Sequence, residues 1–214
     1  MSMDIHNERR EYLQSSLRRE QLNSDPIKQF EHWLAQAKDA KITDPTAMIL
    51  ATVDANGIPS QRTVLLKQFD EQGFVFFTNL ESKKSQQIQA NSNVCIIFPW
   101  LSMERQVIIS GKAEAVSTKE NLDYFLSRPR DSQLAAWVSA QSSPISSKSL
   151  LLNKFNEITE RFANKDISLP KFWGGYRIVP ERIEFWAGGA KRLHDRFEFQ
   201  KQADGQWHIE RLQP

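Results

Sequence analysis

Two apolar periods alternate along this chain, and the places where one gives way to the other define its predicted elements. From residue 25 the spacing is helical: Ile27, Phe30, Leu34 and Ala37 fall on one face. Asp25 before Pro26 marks the start, because an aspartate accepts from the first orphan amides and a proline has no amide to lose there. From residue 47 the pattern becomes that of strands. Residues 47–53 are apolar and end at Asp54-Ala-Asn-Gly57, a hairpin type of turn, and residues 61–67 return. Asp70-Glu-Gln-Gly73 predicts a second turn, followed by strand 74–78, a short helix over 82–90, and strands 94–100 and 105–116. Such short turns between neighbours imply an antiparallel meander.

Ser117-Thr-Lys-Glu120 has the form of a capping box and opens a helix running to about Ser127. Helices are also predicted over 131–140 and 149–163, the latter with Leu150, Leu151, Phe155, Ile158 and Phe162 turned inward. Strands 175–179, 182–186, 194–200 and 206–212 complete the chain. The predicted class is mainly β with helices (α+β): a closed antiparallel barrel with helices outside. Residues 1–23, with basic pairs Arg9-Arg10 and Arg18-Arg19, predict a partly mobile arm with some helix, and residues 24–214 one domain. Arg18-Arg19 suits either a second phosphate site or, more simply, a solvated basic pair.

Composition narrows the function classes. The 214 residues suffice for one core, and 25% charged with 40% apolar residues is ordinary for a globular chain. A net charge of +2 is too small to make nucleic acid the main partner, so any anion site must be a local cluster. Cys95, the only cysteine, rules out an internal disulfide and argues against a cysteine zinc site; in its apolar run it reads as a small buried hydrophobe. His6, His32, His194 and His208 lack metal-ligand spacing, so no metal is expected. The polar start has no secretory h-region and no run is long enough to span a membrane, so no membrane association and a cytoplasmic location are expected.

The densest chemistry lies near the end. After Trp186-Ala-Gly-Gly189, the residues Arg192, His194 and Arg196 occupy alternate positions. On an extended strand they would line one wall suited to an anionic ligand, with Leu193 facing the core and Trp186 adding a flat apolar surface. Alternating charge is equally the pattern of a solvated strand face.

The string Glu184-Phe-Trp186, with Arg192-Leu-His-Asp-Arg196 behind it, resembles the C-terminal signature of the pyridoxine/pyridoxamine 5'-phosphate oxidases. The resemblance extends from Arg9 to Pro214 and implies a split β-barrel built as a homodimer, with FMN at the subunit interface. It implies oxidation of pyridoxine 5'-phosphate or pyridoxamine 5'-phosphate at C4' to pyridoxal 5'-phosphate. A hydride equivalent passes to the flavin, O2 reoxidises it to give H2O2, and the amine also yields NH3.

Further blocks take roles from the same resemblance. Arg62-Thr-Val-Leu-Leu-Lys67 lies along the flavin, with Arg62 near its phosphate and Lys67 touching flavin and substrate. As a strand it sets Arg62, Val64 and Leu66 on one face and Thr63, Leu65 and Lys67 on the other. Phe77, Thr78, Lys83 and Lys84 hold FMN at a strand end and helix start, a natural phosphate cradle. The family usually has Ser-Arg-Lys where this chain has Ser82-Lys-Lys84; lysine keeps the charge but loses the bidentate fork, which predicts looser binding. Gln106, Gln141 and Ser142 match flavin contacts, as do Trp186 and Arg196.

The substrate's phosphate falls to Tyr124, Arg128 and Ser132, the first two one helical turn apart. Arg9, Arg10, Glu11 and Tyr12 resemble a segment that covers the substrate, a lid. Arg192 and His194 place the C4' substituent, with Leu193 between them. Two rivals belong beside this reading: another split-barrel flavoprotein drawing electrons from a nicotinamide cofactor, and a non-catalytic FMN or pyridoxal phosphate carrier. No Gly-rich dinucleotide fingerprint is visible, and the presence of Arg192 and His194 argues against a carrier.

Overall fold

Local signals at the helix starts act as the sequence predicts. The computed structural model describes residue 6 and residues 11–12, 16–138, 141–163 and 165–214. Helix α1 (Pro26–Asp39) begins where the Asp25 carboxylate accepts from the Ile27 amide at 2.9 Å. Helix α3 (Thr118–Ser127) begins at a complete capping box, in which Ser117 Oγ accepts from the Glu120 amide and the Glu120 carboxylate from the Ser117 amide. The other helices are α2 (Lys83–Ala90), α4 (Arg130–Val138) and α5 (Lys148–Arg161). Only a 3-10 turn at Arg19–Gln21 precedes α1 in the described part of residues 1–23.

The strands are β1 (Ala47–Val53), β2 (Pro59–Leu65), β3 (Gln68–Asp70), β4 (Gly73–Asn79) and β5 (Asn93–Trp100), then β6 (Arg105–Ala115), β7 (Trp173–Ala187), β8 (Asp195–Lys201) and β9 (Trp207–Leu212). They form one sheet in the order β2-β1-β5-β6-β7-β4-β3, with β8 on β7 and β9 on β8. The predicted meander is corrected here: β1 neighbours β5, and β4 pairs antiparallel with β7, across long stretches of chain. The two predicted strands 175–179 and 182–186 are also one. Pro180 lies between the segment of β7 paired with β4 (173–178) and the segment paired with β8 (182–187), so its missing N–H falls outside both of those ladders.

The chain forms two compact units. The first comprises residues 1–50, 95–111 and 180–214. Its core sets Phe30, Trp33, Leu34 and Ala37 of α1 among buried aromatic residues: Phe30 meets Phe98 at 4.9 Å, and Trp33 meets Phe185 edge-on at 5.2 Å. Leu17, also buried, donates its amide to Asp195 at 3.0 Å.

The second unit comprises residues 51–94 and 112–179. Phe125, Leu134, Phe162, Ile167 and Trp173 are its helical core, with Phe155 and Ile158 packed partly against it. Only the C-terminal half of α5 therefore packs, and the predicted inward placement of Leu150 and Leu151 is corrected: both are exposed, as is Leu152. Arg177 ties this unit together by pairing with Asp70 and, at 3.0 Å, with Glu120. Among the described residues no helix is long and apolar enough to cross a membrane.

Candidate active site

A cavity of about 370 Å³ opens in the second unit. On β2 the part-buried positions are 60, 62 and 64, which carries the Arg62 guanidinium inward. From β4 come Phe77 and Thr78, from α2 Lys84, and from α3 and its C-cap Tyr124 and Arg128. Thr63, Val64, Leu65 and Lys67 also line it, as does Gln141. None of its described lining residues is acidic.

Three rings form one stack in this wall. Phe77 lies 4.0 Å from Tyr124 and 5.2 Å from Trp173, with all three planes within about 15°. Gly175 makes the stack possible, because a Cβ there would stand 2.7 Å from the Phe77 ring. Trp173 is a site residue that the sequence reading missed. Its signal was the Gly174-Gly175 pair beside it, whose small size marks a place where something large approaches closely.

Polar groups surround the stack. The Lys84 ammonium donates to Thr78 at 3.0 Å, to Gln141 Oε1 at 3.0 Å and to Ser82 at 3.2 Å. Burial, aided by the nearby charge of Arg62, holds its pKa below the usual lysine value. The Lys83 backbone amide donates to Ser142 Oγ at 3.3 Å, while the Lys83 side chain is exposed. Arg128 lies 5.1 Å over the Trp173 ring, and its buried Nη1 has no hydrogen-bond partner among the described residues. Burial lowers the Arg128 pKa and raises that of Tyr124, whose shift the Arg128 charge opposes. A buried donor without an acceptor, in a cavity lined also by a hydroxyl and three further cations, is a seat for an anion. Ser132 lies in the first turn of α4, half-buried and outside the cavity's lining, and Leu66, an expected flavin contact, is buried in the core instead of lining the cavity.

The first unit holds a second cavity, also about 370 Å³, lined by Tyr12, Glu104, Gln106 and Trp186 among others. Beside Trp186 the predicted strand wall is corrected. Residues 190–192 form a 3-10 turn in which Lys191 and Arg192 take φ of 55° and 63°, and β8 starts only at Asp195. Alternation does not survive a left-handed backbone, so Arg192, His194 and Arg196 share no strand face. Leu193, predicted to face the core, is 69% exposed, and Arg192 is exposed.

A different device holds His194. The Gly189 amide donates to His194 Nδ1 at 3.1 Å, so in the neutral ring the proton sits on Nε2. The imidazole packs 4.7 Å from Trp186 and 5.4 Å, edge-on, from Tyr12. Both glycines are dictated by space: a Cβ on Gly188 would meet the Tyr12 ring at 2.8 Å, and one on Gly189 would collide with the Leu193 carbonyl. Arg196 is clamped by Glu184 through two bonds of 2.7 and 3.1 Å, which raises its pKa. Glu11 is exposed, and Arg9 and Arg10 lie outside the described residues.

Comparison with known proteins shows the family and the fold. The sequence profile of pyridoxamine 5'-phosphate oxidase matches residues 34–162, and that of the pyridoxine 5'-phosphate oxidase C-terminal dimerisation region matches residues 173–214. A pyridoxine/pyridoxamine 5'-phosphate oxidase of Pseudoalteromonas translucida is 54% identical over 99% of this chain and 100% of its own length. One from Shewanella amazonensis is 56% identical over 99% of each. Among solved structures, PhzG from Burkholderia lata in complex with tetrahydrophenazine-1-carboxylic acid superposes with a TM-score of 0.86 at 27% identity, covering 91% of this chain and 95% of that one. A pyridoxamine 5'-phosphate oxidase-related, FMN-binding protein of Nostoc punctiforme, 16% identical, shares the fold at a TM-score of 0.73 over 91% of this chain and 99% of its own. The fold class is the antiparallel split β-barrel with surrounding helices.

Proposed function

The chain belongs to the pyridoxine/pyridoxamine 5'-phosphate oxidase family, and on that premise we propose that it oxidises both phosphorylated vitamers to pyridoxal 5'-phosphate with O2, as a cytoplasmic FMN enzyme. H2O2 leaves in both reactions, and the amine substrate consumes water and releases NH3. The chain acts as a homodimer with FMN at the subunit interface, so that each flavin is surrounded by residues of two copies.

The observation that carries this reading is the second-unit cavity, where three parallel rings are ringed by Arg62, Lys67, Lys84 and Arg128 without an acidic neighbour in the lining. Its donor set suits FMN: cations and hydroxyls for one phosphate, and the Gln141 amide for a ring edge that mixes acceptors with an N–H. When bound, FMN supplies the two-electron acceptor. Arg62, Lys84, Thr78 and Ser142 hold its phosphate end, with Lys83 offering charge from the rim; Thr63, Val64, Leu65, Lys67, Phe77, Gln106, Gln141, Trp186 and Arg196, drawn from the two copies, complete its contacts.

Tyr124, Arg128 and Ser132 take the substrate's phosphate, and Arg128 Nη1 thereby gains the acceptor it lacks. Lys67, Arg192, Leu193 and His194 position the substrate, with His194 Nε2–H directed at the C4' hydroxyl or amine. Tyr12, packed against Trp186 and His194, covers the substrate and excludes water, and residues 24–214 are the FMN-binding domain.

The test is an absorbance spectrum of the purified protein. Flavin bands should bleach when pyridoxine 5'-phosphate is added without oxygen, and return with H2O2 on admission of air. A colourless protein that takes up no FMN, or bands unmoved by substrate, would overturn the reading. Sedimentation of a flavin-loaded monomer would overturn the interface.

A further inference from the structure

Behind the wall of the second-unit cavity lies a buried polar cluster to which the reading above gives no role. Thr52 of β1 is wholly buried and Gln87 of α2 nearly so. Arg62 Nη1 donates to Thr52 Oγ1 at 2.6 Å, and Nη2 to Gln87 Oε1 at 3.4 Å. The Thr52 hydroxyl in turn donates to Gln87 Oε1 at 2.6 Å, and Gln87 Nε2 donates to Ser60 Oγ at 3.2 Å. Chemistry fixes the direction of this amide: a guanidinium only donates, so Oε1 must face it, and the flipped amide would set donor against donor.

The placement of Gln87 is equally telling. It lies three residues beyond Lys84, on the same face of α2. One two-turn helix thus carries both the ammonium that lines the cavity and the oxygen that anchors the guanidinium. Arg62 and Lys84 feel each other's charge, no acidic residue is among the cavity's described lining, and two like charges cost free energy that an anion between them would offset.

A carboxylate at position 87 would grip Arg62 more strongly than an amide does, but it would cancel the charge. We propose that Gln87 and Thr52 are positioning residues for the cofactor's phosphate: they fix the Arg62 guanidinium through uncharged oxygens and so present it beside Lys84 with its full positive charge. This rests on the assignment of Arg62 and Lys84 to the phosphate of FMN.

The test compares FMN with riboflavin, which has the same ring and no phosphate, in titrations of the flavin-stripped full-length protein followed by flavin fluorescence. The wild type should prefer FMN by roughly 100-fold, from charge-assisted bonds to the phosphate. Gln87→Glu, nearly isosteric, should lower FMN affinity about 10-fold or more and leave riboflavin within about 2-fold. Thr52→Val should lose part of the preference, and Thr52→Ser should restore it. A Gln87→Glu protein that keeps the wild-type preference overturns the inference. If that variant does not fold, the Thr52 pair decides: no loss in Thr52→Val, or an equal loss in Thr52→Ser, overturns it too. A wild type that binds both flavins equally overturns the phosphate assignment of Arg62 and Lys84 instead.

Discussion

The second-unit cavity and the segment from Gly188 to Asp195 make an instructive pair. Both were marked by the sequence as charged sites on strands. In the cavity the expected residues do meet, because β2, β4 and α2 are regular elements that bring them to one place, although both faces of β2 contribute to its lining. In the other segment two non-glycine residues adopt positive φ, and the face arithmetic fails within three residues. What places His194 there is a backbone amide and two aromatic rings. Regular elements therefore keep a site's residues together, whereas a site on a turn must be found by its glycines and its local bonds.

The contrast is open to attack through variants, with the largest effects expected in the turn. Arg192→Met and His194→Asn should retain FMN and fold but lose roughly 10- to 1000-fold in kcat/KM, about 1.4–4 kcal/mol of transition-state stabilisation, in steady-state assays of flavin-loaded protein. Near-normal kcat/KM in both would make this segment structural. Gly189→Ala should destabilise towards the upper end of the ~1–3 kcal/mol range for overpacking, because the new methyl meets a backbone carbonyl and not a movable side chain. Thermal melts and kcat/KM should fall together; an unchanged Tm would show that the turn relaxes freely.

In the cavity, Arg128→Lys keeps the charge and loses the planar fork. With Nη1 already lacking an acceptor, the loss should appear only once substrate is bound: KM for pyridoxine 5'-phosphate should rise about 10-fold, while FMN affinity, read by fluorescence titration, stays level. A fall in FMN affinity would reassign Arg128 to the cofactor. The smallest effect is expected at the capping box under the cavity. Ser117→Ala should cost about 1 kcal/mol in denaturant unfolding and little activity.

Glu120 extends that test to pH. The Ser117 hydroxyl and amide, and then Arg177, hold its carboxyl below the usual range. A depressed folded pKa gives stability that is complete above the unfolded value of about 4.3 and is lost as pH falls through the lower folded value. Glu120→Gln should therefore lower Tm at neutral pH and leave it nearly unchanged in strong acid; an equal drop at both would assign the effect to packing.

Much of the fold was legible because it is decided within a few residues. Asp25-Pro26 set the start of α1, and Ile27, Phe30, Leu34 and Ala37 are all buried. Asp54 and Gly57 close their turn with a 3.0 Å bond. Of the candidate site, Arg62, Lys67, Phe77, Thr78, Lys84, Tyr124, Arg128 and Gln141 meet around one cavity. Trp173 stayed hidden because it joins them only through the pairing of β4 with β7, in which Asn79 faces Trp173.

By itself the sequence determined the helix starts, the turns, the faces of regular strands and the kinds of charge at the site, since these depend on side chains one to four residues apart and on steric rules for each backbone. The tertiary structure alone decided that β1 neighbours β5 and β4 neighbours β7, that Leu150 and Leu151 stay outside the core, that Leu193 faces solvent, and that Thr52 and Gln87 reach Arg62. Those outcomes depend on which distant segments bury the most apolar surface and satisfy each other's hydrogen bonds, a choice made by the whole chain at once and recorded in no single stretch of it.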